Sequence, residues 1–488
     1  MAGVGFELKR LFRKKGAAAF LRAYGYAGMI TAGPMLLGMA LLLGEMLLAD
    51  WMGLPGLERE LLTSMITYAL LASLMVSSPF SMVTTRHAAD MLYEERGEAV
   101  LPAFEGSCAI LLGAGGLLYF LFLAFAGITF TQVVLNYLLF GELLVVWMEM
   151  NYLTAIKNYR GIVNSFFLAI AGAFLSGFLL ARLFEPSVEG FLVSVCVGYG
   201  LMLCANMVLM YQFFPKGEGS RFAFLRWFDE YRPLAAVGFF TNAGLFSHLV
   251  IGWMGPLGVQ VKGLFYGAPQ YDVPALFAFL SVLVTTINFV VSVEVNFYPR
   301  YRNYYDLFNQ KGSVRDIEQA EEEMLTVLER ELAYTGRKQL YATALMLSAG
   351  LALIARLPLG FTDLMEGYFR TLCVGYGLYA VANMLMLILL YFTDYRGACI
   401  ASVLFGVTAA VGSLLSFFLD VRYYGFAFMG AGMVYFLVAW RRLRWFCGKL
   451  PYHILSVQPM VWEPRRGGFT RLAEWFEEKE GGGRWIEE

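Results

Sequence analysis

Residues 273–298 read VPALFAFLSVLVTTINFVVSVEVNFY and carry one charged side chain, Glu294. An α-helix rises about 1.5 Å per residue, so roughly 20 apolar residues cross the hydrocarbon core of a bilayer. This stretch therefore predicts a transmembrane helix. Apolar blocks of the same length recur on both sides of it, which places the chain in a membrane.

The recurring blocks predict twelve spans, six on each side of a basic linker at 215–232. They are 24–49, 61–85, 104–126, 131–155, 161–184, 189–214, 233–254, 273–298, 338–357, 369–392, 397–419 and 424–446. Composition agrees, because 59% hydrophobic against 15% charged residues leaves no surface for a sizeable soluble domain. We predict an all-α integral membrane protein with two six-helix lobes, 24–214 and 233–447.

The distribution of positive charge predicts the orientation of the spans. Of the 37 Lys and Arg residues, 31 lie in the segments on the same side as the amino terminus. By the positive-inside rule both termini are cytoplasmic, and the protein is expected in a bacterial cytoplasmic membrane. The cytoplasmic parts are then a basic amphipathic segment (1–23), the linker, a helical loop (299–337) and a tail (448–488).

Several classes of site are not indicated by the sequence. The six cysteines form no C-x-x-C pair, the three histidines are scattered, and no G-x-x-x-x-G-K-[ST] motif occurs. We therefore expect no metal site, no cofactor and no nucleic-acid partner, and we do not expect an enzyme. Any nucleotide-driven step would belong to another protein.

Polar side chains recur at helical spacing inside three predicted spans, where they are costly unless they face a partner or water. These stripes are Ser281, Thr285, Asn288, Ser292 and Asn296 in span eight; Ser73, Ser77, Ser81 and Thr84 in span two; and Thr241 with His248 in span seven. They indicate a hydrated substrate pathway. Hydrogen bonding between helices is an alternative explanation for each of them.

Acidic residues are the charges that lie well inside the spans. Glu142 and Glu149 are seven residues apart on span four, and Glu294 lies in span eight, away from the polar stripe. Glu45 is close enough to the end of span one to reach the interface. We consider Glu142, Glu149 and Glu294 as pathway or ion-coupling carboxylates, with structural hydrogen bonding as the alternative. The absence of Lys or Arg from the middle of the spans argues against a deep site for phosphate.

Two cytoplasmic segments have amphipathic patterns. A helix opening at Ser313 places Ile317, Met324, Leu328 and Leu332 on one side and carries seven acids against two basic residues. It either packs on its own protein or docks a partner. The tail offers Leu472, Trp475 and Phe476 among acids, which indicates a short surface helix or a disordered contact segment.

Specific strings resemble the PelG family, the polytopic component of bacterial Pel exopolysaccharide export. The likeness runs to about residue 447. It rests on the opening MAGVGFEL at 1–8, Gly33-Pro34, Thr85-Arg86 with Asp90 and Leu92-Tyr93, and Glu294 with Phe297-Tyr298 and Tyr301-Arg302.

The resemblance implies a flippase-superfamily architecture, with a central cavity around spans one, two, seven and eight. It implies a substrate rich in N-acetylgalactosamine. It also implies partners, namely a cytosolic glycosyltransferase and membrane scaffold or cyclic-di-GMP receptor subunits. An ion-coupled small-molecule exporter of the same fold and a non-transporting scaffold for a polysaccharide synthase are the two alternatives.

Overall fold

The computed structural model describes residue 28 and residues 33–156, 159–217, 219–309, 312–354, 356, 360–457 and 465–479. The predicted basic segment at 1–23 lies outside these residues. The α-helices are, in chain order, α1 (Gly33–Trp51), α2 (Gly56–Tyr93), α3 (Val100–Ile110), α4 (Gly116–Ala124), α5 (Phe130–Ile156), α6 (Tyr159–Leu183), α7 (Val188–Phe213), α8 (Leu225–Glu230), α9 (Arg232–Trp253), α10 (Pro269–Phe279), α11 (Val282–Val291), α12 (Tyr298–Asn309), α13 (Val314–Leu345), α14 (Leu351–Ile354), α15 (Asp363–Tyr391), α16 (Tyr395–Ser416), α17 (Tyr424–Cys447), α18 (Leu450–Val457) and α19 (Gly468–Lys479).

Within the described residues, ten helical segments are long and apolar enough to cross a membrane. They correspond to the predicted spans two to eight and ten to twelve. Span one is represented by α1, and span nine by the end of α13 with α14. The chain is therefore a multi-pass, mostly helical membrane protein, while the full count of twelve spans stays a prediction.

The contacts within the chain group its residues into two compact units. The first, called here the amino-terminal unit, covers the described residues of Pro34–Phe246, Gly258–Gly267 and Met460–Glu488. The carboxyl-terminal unit covers those of Met1–Gly33, Ser247–Leu257 and Ala268–Pro459. The predicted lobe borders stay a prediction.

Helix α2 stays continuous although it contains Pro79. Proline has no N–H, so the carbonyl of Met75, four residues earlier, loses its helical donor. The Ser78 hydroxyl donates to that carbonyl at 2.8 Å. A neighbouring side chain thereby satisfies the acceptor that proline leaves open, which explains how a long membrane helix tolerates the residue.

Span eight is not the single regular helix that the sequence predicts. The chain turns at residues 280–281, where the backbone N–H groups of Leu280 and Ser281 donate three residues back instead of four. A π-helical segment, Ser292–Phe297, comes directly after α11. Asn296, the last residue of the predicted stripe, lies within this segment and is half-buried, and its place on the stripe stays a prediction.

Helix α13 confirms the amphipathic pattern that opens at Ser313. The Ser313 side chain accepts from the backbone N–H of Asp316, and the Asp316 carboxylate accepts from the Ser313 backbone, which completes a capping box. The apolar side chains Ala320, Met324, Val327 and Leu328 are buried. The helix continues without interruption to Leu345, so the loop predicted to be cytoplasmic and the start of predicted span nine form one continuous helix.

The all-α prediction missed a small antiparallel hairpin, β1 (Val259–Lys262) and β2 (Phe265–Gly267). Gly263 connects the strands with a positive φ of 55°, a conformation that glycine adopts without strain. The Tyr68 hydroxyl of α2 bonds both the N–H and the carbonyl of Tyr266, each at 3.1 Å. The hairpin is thus attached to the amino-terminal unit by its backbone.

Candidate functional site

The span-eight stripe lies against α13 in the carboxyl-terminal unit. The Thr285 hydroxyl donates to Gln339 Oε1 at 2.6 Å. The Asn288 amide donates to Thr335 Oγ1 at 2.6 Å, and its oxygen accepts from Lys338 Nζ at 2.7 Å. Thr285 and Asn288 are 3% and 2% exposed, so these contacts form a buried polar seam between α11 and α13.

The partner side of this seam has a pattern that was not predicted from the sequence. Thr335, Gln339 and Thr343 are spaced by four residues and are all buried. Gln339 also donates to the Thr343 hydroxyl at 3.3 Å. The signal was present as a four-residue repeat, but its first residue, Thr335, fell in the predicted cytoplasmic loop. The seam shows that interhelical hydrogen bonding occurs, and the pathway role of the stripe stays a prediction.

The two ends of the stripe differ from its centre. Ser292 is 4% exposed and its hydroxyl accepts from the Asn288 amide at 3.3 Å. Ser281 is 2% exposed, and its hydroxyl has no hydrogen-bond partner within the described residues. Glu294 belongs to the π-helical segment, and its side chain lies outside the described part of the structure.

His248 forms the centre of a second polar cluster in the same unit. Its Nδ1 lies 2.9 Å from the Tyr271 hydroxyl and its Nε2 3.3 Å from the Tyr376 hydroxyl. The imidazole also packs on Phe428, with ring centroids 4.2 Å apart. Beside this cluster is a small cavity of about 10 Å³, which is room for one water molecule. Its lining residues are His248, Gly252, Tyr271, Ser413, Ser416, Phe417 and Tyr424.

Asp272 fixes the start of the helix that carries Tyr271. Its Oδ2 accepts from the Trp253 indole at 2.8 Å and from the Ala268 backbone N–H at 2.9 Å. A carboxylate at the first turn of a helix satisfies N–H groups that lack helical partners. Tyr271 and its contact with His248 are thereby held in place.

In the amino-terminal unit, the span-two stripe faces α5. Ser73 accepts from the Trp147 indole at 2.9 Å, and Ser81 donates to Asn151 Oδ1 at 2.9 Å. Ser77 is 4% exposed and donates to the Ser73 carbonyl within its own helix. Thr241, on α9, is half-buried. The proposed pathway role of Ser77, Ser81 and Thr241 stays a prediction.

Two of the predicted acids lie along the contact between α5 and α7. Glu149 is fully buried, and neither carboxyl oxygen makes a hydrogen bond within the described residues. The Asn206 amide of α7 lies beside it but its nitrogen and oxygen are likewise unsatisfied there. Glu142, two turns away, lies against Gly200 of α7, where an added Cβ would be 3.3 Å from its carboxylate.

Glu45 also lies along α7 with Glu142 and Glu149, although its position in the sequence did not predict this. The sequence places it near the interface, but the side chain is fully buried and accepts from the Ser194 hydroxyl of α7 at 3.2 Å. Its other oxygen has no partner within the described residues. Glu45, Glu142 and Glu149 therefore all face α7. No group of three acidic, cysteine or histidine side chains in the described residues could hold a metal ion.

Comparison with known proteins identifies the family. The family model described as "PelG: Putative exopolysaccharide Exporter (EPS-E)" matches residues 1–455. The chain belongs to the PelG family. No curated protein matches it in sequence.

Solved structures show the fold of this PelG chain. A multidrug resistance MATE family transporter of the MOP superfamily, in an outward-facing conformation, aligns with a TM-score of 0.57 at 14% identity, covering 87% of this chain and 96% of that one. A MOP superfamily transporter from Pyrococcus furiosus gives 0.53 at 14% identity over 87% and 96%. A eukaryotic MATE transporter gives 0.53 at 13% identity over 94% and 99%. The chain thus belongs to a family described as exopolysaccharide exporters, and its fold is similar to that of these transporters.

Proposed function

We propose that this chain moves a Pel-type polysaccharide rich in N-acetylgalactosamine across the bacterial inner membrane, with both termini in the cytoplasm. The match to a family of exopolysaccharide exporters over residues 1–455 carries the proposal. A fold similar to that of MATE family transporters supports it, because those proteins are also multi-pass membrane transporters.

The chemistry of the polar groups is compatible with a neutral glycan. Sugar hydroxyl and acetamido groups need donors and acceptors, and their ring faces pack on aromatic side chains. The carboxyl-terminal unit supplies Thr285 and Asn288 in one cluster and His248, Tyr271 and Tyr376 in another. These groups can exchange hydrogen bonds with a sugar at little net cost, because they already have partners that can rearrange.

Adjacent threonines offer a matched test of the span-eight stripe. Thr285 bonds across to Gln339, whereas Thr286 bonds the Val282 carbonyl of its own helix. We expect Thr285→Val to reduce polymer export about tenfold, since it leaves a buried amide oxygen unpaired, while Thr286→Val exports normally. Extracellular polymer is measured with a lectin, and membrane insertion by immunoblot. Equal export by both variants would remove Thr285 from the proposal.

Thiol labelling distinguishes residues of the span-eight stripe that line a pathway from residues that only pack between helices. In a cysteine-free variant, Thr285→Cys and Asn288→Cys are expected to react with a small water-soluble reagent when the glycosyltransferase is active. A packing role alone predicts protection under every condition. Protection of both together with labelling of Glu294→Cys would show that the opposite face of span eight lines the path.

We further propose that the acidic face of α13 docks the cytosolic glycosyltransferase or its membrane scaffold and cyclic-di-GMP receptor. The apolar face of α13 is already buried, so Glu322 and Glu323 are left exposed for a basic partner. Glu321 is unsuitable, because it is half-buried; burial and the charge of Glu318 raise its pKa.

The docking test reverses the charge of exposed acids only. Glu322→Lys with Glu323→Lys should weaken co-purification of the glycosyltransferase, more at low than at high salt. The same double reversal at Glu94 and Glu95, which are exposed after α2, is the control. If the unaltered chain and the two double variants co-purify equally with the glycosyltransferase at both salt concentrations, the docking surface lies elsewhere.

An ion-coupled small-molecule exporter is the second candidate. It is favoured by Glu45, Glu142 and Glu149, since each of these three carboxyls along α7 has a buried oxygen without a partner within the described residues. Polymer export that persists after the proton and sodium gradients are collapsed would count against coupling. A scaffold that moves nothing would leave polymer inside cells whose complex is fully assembled.

A further inference from the structure

The tail helix α19 lies beyond residue 455, where the match to the family ends. It nevertheless makes specific contacts with α8, the short helix in the linker that precedes span seven. Both belong to the amino-terminal unit. One partner in these contacts, α19, thus lies outside the residues that the family model matches.

Asp229 of α8 caps the first turn of α19. It is 1% exposed, and its Oδ2 accepts from the backbone N–H of Thr470 at 2.7 Å and from the Thr470 hydroxyl at 2.8 Å. Its Oδ1 accepts from Arg232 at 2.7 Å. Burial alone raises the pKa of Asp229, but the hydrogen bonds from Arg232 and Thr470 outweigh it and hold the pKa below its usual value.

Further contacts join α19 to α8 and to the residues just before α8. Arg226 donates to both carboxylate oxygens of Glu477, at 2.8 and 2.6 Å, in the forked geometry that favours this ion pair. Phe476 stacks on Phe222 with ring centroids 4.1 Å apart. The cap, the ion pair and the stacked rings together specify both the position and the register of α19.

Another side of α8 contacts the end of α2. The Trp227 indole donates to Asp90 Oδ2 at 2.9 Å, and its ring packs edge to face with His87 at 4.6 Å between centroids. Just before α8, Arg221 pairs with Glu105 at 3.3 Å. Helix α8 is thus fixed by α19 as well as by α2, the helix that carries Ser77 and Ser81.

We infer that α19 is a positioning element that holds the linker helix α8 against the end of α2 during export. Arg226, Asp229 and Glu477 are positioning residues, because they act on α2 only through α8 and Trp227. This inference rests on the proposed function for its effect on export. The docking of α19 itself is measured without any substrate.

The docking is reported by a single thiol. Ala473 of α19 is fully buried, whereas its neighbour Leu472 is 41% exposed. In a cysteine-free variant of the full chain, Ala473→Cys should react slowly with a water-soluble maleimide in inside-out vesicles. Leu472→Cys gives the rate for an exposed position on the same helix.

Charge reversal tests whether the ion pair holds the helix. Glu477→Arg and Arg226→Glu should each speed labelling of Ala473→Cys about tenfold and lower export, because each places like charges together. The double exchange restores the pair and should recover both measurements. Glu478→Arg, an exposed neighbour with the same change of charge, should alter neither.

The outcomes separate the inference from the proposed function. The docking is overturned if Ala473→Cys labels fast without any charge reversal, or if neither single charge reversal changes its labelling rate. Faster labelling with unchanged export shows docking without a positioning role and overturns the inference. Lack of polymer export by the unaltered chain, with Ala473→Cys protected, instead contradicts the proposed function.

Discussion

Span eight and span four carry their polar groups in opposite ways. In span eight, Thr285 and Asn288 are neutral, and each has a hydrogen-bond partner on α13. In span four, Glu142 and Glu149 are acidic, and within the described residues neither oxygen of Glu149 has a hydrogen-bond partner. A neutral group inside a membrane is stabilised by one good hydrogen bond, whereas a carboxylate needs a proton, a cation or water.

This difference assigns different chemistry to the two regions. The neutral seam joins α11 to α13, and an exchange of its bonds with a sugar belongs to the proposed function. The acids along α7 are left with a requirement that the described polypeptide does not meet, which is what a coupling site would show. Substitutions in the seam are therefore expected to change stability as well as export, whereas substitutions of the acids are expected to change mainly export.

The largest effect is expected from Asn288→Leu. The substitution removes the hydrogen bonds of the Asn288 side chain to Thr335 and Lys338, and the half-buried Lys338 ammonium loses Asn288 Oδ1 as an acceptor. The free energy of unfolding should therefore fall by about 2–3 kcal/mol. Thermal unfolding in detergent measures the loss. Asn296→Leu is the matched control, since Asn296 is an asparagine of the same span whose side chain is only half-buried. A similar loss in both would show that the seam contributes nothing special to stability.

A smaller effect on stability, but a large one on export, is expected from neutralising the acids. Glu142→Gln with Glu149→Gln keeps the shape and should change the free energy of unfolding by less than about 1 kcal/mol, because neither carboxyl forms an ion pair within the described residues. Export should fall if the carboxyls titrate. Glu189→Gln, whose carboxylate accepts from Gln132 at 2.9 Å at the start of α7, controls for charge. Full export by the double variant would leave these acids as structural groups.

The smallest effect concerns pH and the tail helix. Asp229 has a lowered folded pKa, so its stabilising contribution is complete above about pH 4, the unfolded value, and is lost as pH falls through the folded value. The ratio of labelling rates for Ala473→Cys and Leu472→Cys should therefore be constant between about pH 8 and about pH 5. This ratio cancels the reactivity of the thiol itself. A rise within that range would mean that a different group controls docking.

The sequence predicted the membrane class and the helical pattern because both depend on local composition. An apolar run of sufficient length must satisfy its backbone hydrogen bonds internally, so it forms a helix whatever surrounds it. The capping box at Ser313 and the buried face of α13 were predictable for the same reason, since their residues are close in sequence. The family was recognised from short strings, and the match to residues 1–455 confirms it.

The partners of the polar groups were not predictable, because they come from distant parts of the chain. The position of Glu45 in span one predicted a place at the interface, but Ser194, far away in sequence, bonds it inside the protein. The turn at residues 280–281 and the π-helical segment Ser292–Phe297, which interrupt span eight, were likewise not predictable from its apolar composition. The tail pattern fitted either a helix or a disordered segment, and the contacts of Asp229 and Arg226 with α19 decide for the helix.

The sequence by itself determined that the chain is a multi-pass, helical membrane protein of the PelG family, and where most of its helices lie. Hydropathy and helical spacing act over one or two turns, so they are written in the order of the residues. Tertiary structure alone decided which polar groups are satisfied, which acids lack partners within the described residues, and where the tail helix docks. Those outcomes depend on which helices meet, and that is set by packing between residues tens to hundreds of positions apart.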